Sequence, residues 1–206
     1  MHISNNEIVA LVATTSFASG LNVYATIATL GLLSRAGLFQ LPTSLHVIHG
    51  WPVIVVCVAM FVLEFFADKI PVFDLVWNAL HTFVRIPVAA WLAYAATAHL
   101  SPEMQAISTV AGAIIAAAAH TGKTAVRVGV TPSPEPFSNI ALSATEDVGA
   151  VGLTWVATQH PYVAATVVAA LLVVLIVLGR FIYRSLKRIF FYFRHRWSGG
   201  VESQSA

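Results

Sequence analysis

An all-α, polytopic transmembrane helical bundle of about six spans is the fold class this sequence predicts. Three observations carry the expectation. Only 10% of the 206 residues are charged and 58% are hydrophobic, where a soluble domain carries about 25% charge. Mean hydropathy is +0.79. The runs 8–34, 104–119 and 161–179 contain no Asp, Glu, Lys or Arg, so lipid rather than water is the expected solvent. Helices are the spanning element, because the period-2 alternation that a barrel needs is absent.

Hydropathy and helix breakers place the spans at about 7–34, 51–67, 74–97, 104–127, 137–158 and 161–183. The third and fifth contain ionisable residues and score weakly. Without them, 68–103 and 128–160 would be long apolar loops, which compact proteins rarely have. The segment 37–50 reads as an outer interfacial turn. Residues 1–183 then form the transmembrane domain, and 184–206 a basic, aromatic cytoplasmic tail with a disordered end. The start of the chain has no Lys or Arg before Arg35, so the first apolar run is read as a retained helix rather than a cleaved signal. A faint internal duplication of helical hairpins is suggested by Ala96-Thr-Ala-His99 against Ala157-Thr-Gln-His160. It is also suggested by the proline-bearing turns Lys69–Asp74 and Thr131–Asn139.

Six of the eleven Lys and Arg residues follow Gly179, which predicts a cytoplasmic C-terminus. An even span count puts the N-terminus there too, in a bacterial inner membrane. Lys69, Lys123 and Arg127 then fall at the cytoplasmic side, and Arg35 alone departs from the bias. The basic and aromatic segment 183–197 suits an anionic lipid surface as an anchoring helix. A net charge of +2 concentrated in one tail offers no nucleic-acid footprint. The lone Cys57 excludes an internal disulfide or a cysteine metal cage.

Charged side chains at a helix centre cost about 2.5–3.5 kcal/mol each on insertion scales, so intramembrane ones point to function. The candidates for substrate, ion or proton binding are Glu64, Asp68, His81, Arg85, His120, Lys123, Glu146, Asp147 and Asn22. Intervals of three and four align them into stripes. These are Glu64 and Asp68; Asp74, Asn78, His81 and Arg85; His120, Lys123 and Arg127; and Asn139, Ser143 and Asp147 beside Glu146. Facing stripes predict a charged cavity open to, or gated from, the cytoplasm. Helix rise predicts that Arg85 meets Glu146 and Asp147 near the midplane, with Glu64, His81 and His120 in the inner half. In Ser16-Phe-Ala-Ser-Gly-Leu-Asn-Val-Tyr24, Gly20 suggests either a broken helix exposing backbone groups or close helix packing through small residues, the reading favoured by frequency.

The strings Glu64-Phe-Phe-Ala-Asp-Lys-Ile-Pro71, His81-Thr-Phe-Val-Arg85, His120-Thr-Gly-Lys123 and Ser133-Pro-Glu-Pro-Phe-Ser-Asn139, with Glu146-Asp147, resemble an uncharacterised bacterial integral membrane family. It is the one catalogued as domain of unknown function 4126. The resemblance covers about Glu7 to Tyr183 and implies a polytopic bacterial membrane protein. It supplies no activity.

The leading functional expectation is therefore a small transporter or channel, proton-coupled through acids and bases that share a dry site. Its partners would be the bilayer, a small ion or small-molecule substrate, and further copies of itself in a homo-oligomer; no cofactor is expected. Lys123 and Arg127 near the inner headgroups would alternatively hold a lipid phosphate. A rival class is a metal-dependent intramembrane enzyme using Glu64, His81, His120, Glu146 and Asp147. Against it, no paired-histidine spacing lies within one helix and no G-x-S-x-G elbow is present. A third class is an assembly protein without small-molecule chemistry.

Overall fold

The computed structural model of the protein describes residues 4–130 and 136–202. Asp74, Asn139, the three-proline turn and the side chains of the distal tail lie outside the described residues or side chains, as does the end of the chain beyond 202. The elements are α1 (Asn5–Arg35), a 3-10 helix (Thr43–His49), α2 (Trp51–Ala67), α3 (Pro71–Ala96), α4 (Pro102–Val130), α5 (Pro136–Gln159) and α6 (Pro161–Glu202). No strand occurs among the described residues. Proline stands at or next to the start of each of α2 to α6, where its missing N–H costs nothing and its fixed φ favours a helix. The start of α1 is instead secured by a reciprocal cap: the Ser4 N–H donates to Glu7 Oε2 at 2.7 Å, and the Glu7 N–H to Ser4 Oγ at 3.3 Å.

Two compact units divide the chain, residues 1–169 and 170–206. The second is the distal part of α6. In the first, α1 packs against α2, α3, α4 and α5 and is buried along most of its length, as a helix apolar on every side must be. The other helices turn apolar side chains outward: Phe83 is 81% exposed and Val148 72%. In water that surface would be a large liability, whereas in lipid it is the favourable face.

Among the described residues, α1, Val76–Ala96 of α3, Pro102–Arg127 of α4 and Pro161–Ser185 of α6 are long and apolar enough to cross a membrane. The 3-10 helix and α2, bent by 63° at Gly50, pass jointly as a fifth candidate. Helix α5 does not pass, although its length is ample, because it carries the polar and acidic face that the bundle interior needs.

Gly20 does not break α1. A Cβ there would collide with the Ala116 carbonyl and the Ala119 side chain of α4, and Gly112 likewise lies against Ala93 and Ser16. Both are close-approach positions, the packing alternative. The interruption falls two residues later, at Asn22 (φ −150°, ψ 105°). Gly20→Leu is expected to cost about 1–3 kcal/mol by forcing α1 from α4, seen as a lowered unfolding midpoint in detergent. An unchanged midpoint would remove this contact from the packing account.

Candidate functional site

Four helices supply an interior cluster of paired charges. From α2 comes Glu64 and from its C-cap Asp68, from α3 Arg85, from α4 Lys123 and Arg127, and from α5 Glu146, all buried. Arg85 pairs with Glu64, and both are fully shielded from solvent. Lys123 Nζ lies 3.0 Å from Glu146 Oε2, 3.7 Å from Glu64 Oε1 and 3.9 Å from Asp68 Oδ2. Arg127 Nη2 reaches Asp68 Oδ2 at 2.6 Å and Glu146 Oε2 at 2.5 Å. Its Nε also donates to both Glu146 oxygens, at 3.2 and 3.3 Å. Ser143 Oγ donates to Asp68 Oδ2 at 3.2 Å.

The expected meeting of Arg85 with Glu146 and Asp147 is therefore corrected: Arg85 takes Glu64, and Lys123 with Arg127 takes Glu146. Side-chain direction explains the difference. Helical side chains lean toward their own N-terminus, so Arg85 runs back two turns along α3 and donates from Nη1 to Asn78 Oδ1 at 3.1 Å. Matching depths by backbone position alone ignores that reach. Adjacent residues on a helix also point about 100° apart, so Glu146 and Asp147 serve different neighbours. Glu146 turns to α4, while Asp147 turns to α1.

The histidines are held in orienting hydrogen bonds. A guanidinium only donates, so His120 Nδ1 accepts from Arg85 Nη1 at 3.0 Å. The ring proton then sits on Nε2 and donates to Thr82 Oγ1 at 2.7 Å, and that hydroxyl donates on to the Asn78 carbonyl at 3.1 Å. His81 Nδ1 donates to the Trp77 carbonyl at 2.8 Å, leaving Nε2 to accept from the Tyr24 hydroxyl at 3.0 Å. The Trp77 ring stacks on His81 with centroids 4.3 Å apart. Neither histidine is presented as a metal donor. Among the described residues no three or more His, Cys, Asp or Glu side chains converge to hold a metal ion. Among the described residues, Glu64, His81, His120, Glu146 and Asp147 do not converge on one point: Arg85, Lys123 and Arg127 take Glu64 and Glu146, Asp147 accepts from Asn22, and the histidines have other partners. Nor do Lys123 and Arg127 stand free for a headgroup phosphate, since both are buried against acids.

Asp147 is the exception to the pairing. Its Oδ1 accepts from Asn22 Nδ2 at 2.9 Å, while its buried Oδ2 has no hydrogen-bond partner. Asn22 sits at the interruption of α1, where side chains take three of the backbone groups. The Ala25 N–H donates to Asn22 Oδ1 at 3.0 Å, the arrangement of a helix N-cap placed inside a helix. The Leu21 carbonyl accepts from Lys123 Nζ at 3.0 Å. Thr26 Oγ1 donates to the Asn22 carbonyl at 2.9 Å. An interrupted helix thereby joins Lys123 on one side and Asp147 on the other.

At Arg85 and Glu64 the charged side chains are packed together without solvent access. An open, apolar groove runs past Asp147 between Phe61, Phe65 and Phe66 of α2 and Val151 and Gly152 of α5. Of the residues that complete the site, Arg127, Asn78 and Ser143 are visible in the sequence by their three- and four-residue spacing. Tyr24, Thr82 and the Leu21 carbonyl carry no such signal.

A family model described as Domain of unknown function (DUF4126) matches residues 9–180. No curated protein and no solved structure matches the chain.

Proposed function

The chain belongs to the DUF4126 family, and from its own geometry we propose that it is a small membrane transporter that binds one proton at Asp147. The observation that carries this reading is a charge surplus beside a helix break. Among the described residues, the carboxylates Glu64, Asp68, Glu146 and Asp147 face the cations Arg85, Lys123 and Arg127. The acids exceed the bases by one, and Asp147 is the acid without a cation against it. In a medium of low polarity an unmatched charge is costly, so the site has a place for one more positive charge. Interrupted helices whose ends meet charged side chains are the usual ion sites of secondary transporters. In this reading Arg85–Glu64 and Arg127 with Asp68 and Glu146 form the scaffold, and Asp147, Asn22 and Lys123 the moving part. The basic asymmetry of the sequence supports a multi-pass protein of a bacterial inner membrane with a cytoplasmic C-terminus.

Liposomes containing the purified protein and an internal pH indicator, placed under an imposed membrane potential, test it. Proton entry above that of protein-free liposomes is expected, with Asp147→Asn reducing it to the protein-free level. Liposomes as proton-tight as empty ones, or a variant as fast as the parent, would overturn the reading.

A further inference from the structure

We propose that α1 is a re-entrant helical hairpin rather than a span: it enters the bundle from one face of the membrane, turns at Asn22 and returns to the same face. Length and composition alone mark α1 as a crossing, but its neighbours along the chain do not. In residues 5–21, Ser16 lies against Gly112, Gly20 against Ala116, and the Leu21 carbonyl accepts from Lys123. Rising numbers meet rising numbers, so this half runs the same way as α4. In residues 23–35, Gly31 lies against Ile54 and Arg35 over the Trp51 ring. Here rising numbers meet falling ones, and this half runs against α2. It runs along α3: Tyr24 bonds to His81, and beyond the end of α1 Ser44 donates to the Ala95 carbonyl. Helices α3 and α4 are antiparallel, since Arg85 meets His120, Ala93 meets Gly112 and the Tyr94 carbonyl meets Gln105. The two halves of α1 follow one each, so they are antiparallel to one another.

A recess at one end of the bundle gives the same answer independently. Glu7 and Leu11 line it together with Gly37 and Leu38, which follow the other end of α1. An unbroken helix would hold Glu7 and Gly37 roughly 45 Å apart at about 1.5 Å per residue. A recess of about 500 Å³ does not bridge that gap. Gln159, at the end of α5, belongs to the same face, where its Nε2 donates to the Leu38 carbonyl at 3.3 Å. Neither half of α1 has the roughly 20 residues that a crossing takes. Irregular backbone is tolerated at membrane depth only inside protein, and Asn22 is fully buried. The hairpin tip delivers the Leu21 carbonyl to Lys123 and the Asn22 side chain to Asp147. One turn further along α4, Arg127 meets Asp68 at the C-cap of α2, beside the turn that carries Lys69. The basic bias makes that turn cytoplasmic. The start of α1 is therefore extracytoplasmic, and the hairpin is the barrier between that face and the charges.

The test uses the full chain with Cys57→Ala, which removes its single thiol. In that background Asn6→Cys, Leu38→Cys and Ile70→Cys are made singly, all at exposed positions. A membrane-impermeant maleimide is applied to intact cells and to inside-out vesicles. Asn6→Cys is expected to label from the side that labels Leu38→Cys and to stay unlabelled from the side that labels Ile70→Cys. Labelling of Asn6→Cys together with Ile70→Cys would show that α1 crosses, and would overturn the proposal. A second measurement decides the case of a chain inserted both ways, in which all three positions label from both sides. Glu7→Cys combined with Leu38→Cys should be joined within one chain by a short bismaleimide, because both residues line the recess. Failure to join them would overturn the hairpin as well. Neither readout involves flux, so the outcome is independent of whether the protein carries protons.

Discussion

Arg85→Met is expected to destabilise the bundle by about 3–5 kcal/mol, the usual cost of stripping one partner from a buried ion pair. Glu64 would then hold a carboxylate with no solvent access and its closest cation gone; Lys123 Nζ, at 3.7 Å, already serves Glu146 at 3.0 Å. The arginine also donates to Asn78 Oδ1 and His120 Nδ1, and each lost hydrogen bond adds about 0.5–1.5 kcal/mol. These figures decide how the double variant behaves. Glu64→Met with Arg85→Met removes the uncompensated charge but not the loss of those two hydrogen bonds, so it should recover only part of the loss. Detergent unfolding of the two single variants and the double variant measures the coupling. Additive effects would mean that the pair is not closed in the folded protein.

The reach of that arginine also marks where the sequence stopped being legible. The fold class was plain, since charge is scarce and apolar runs are long. Helix starts were marked by Pro52, Pro71, Pro102, Pro136 and Pro161. Spacings of three and four were enough to sort Glu64 with Asp68, and Lys123 with Arg127, onto shared faces. Partner choice was not visible. It depends on side-chain direction and on helix rotation, and a face defined by Cα positions cannot distinguish Arg85–Glu64 from Arg85–Asp147. The packing role favoured for Gly20 holds, but the break in α1 at Asn22 is not visible for a related reason. Glycine loosens a helix, so Gly20 draws attention, yet at Gly20 the absent Cβ serves the approach to Ala116. Asn22 breaks the helix because its amide can cap Ala25 and reach Asp147 together, and Asp147 lies 125 residues away along the chain.

Asn22→Ala should separate stability from transport. Packing holds both halves of α1 in place, so the chain still turns at position 22. Loss of the cap costs about 0.5–2 kcal/mol. A folded protein is therefore expected. Transport should suffer more: alanine takes the amide from the Ala25 N–H and from Asp147, and the second bond is one of the two links that join the interruption to the charges. Proton flux in liposomes is expected to fall roughly tenfold or more, which corresponds to about 1.4 kcal/mol. Asn22→Ser distinguishes the two bonds, because serine still caps a helix but its shorter side chain cannot span the distance to Asp147. Flux retained in the serine variant and lost in the alanine variant would assign the effect to the cap. Loss in both would assign it to the hydrogen bond on Asp147. If both variants carry protons as fast as the parent, the interruption of α1 is a packing feature and the moving part lies elsewhere.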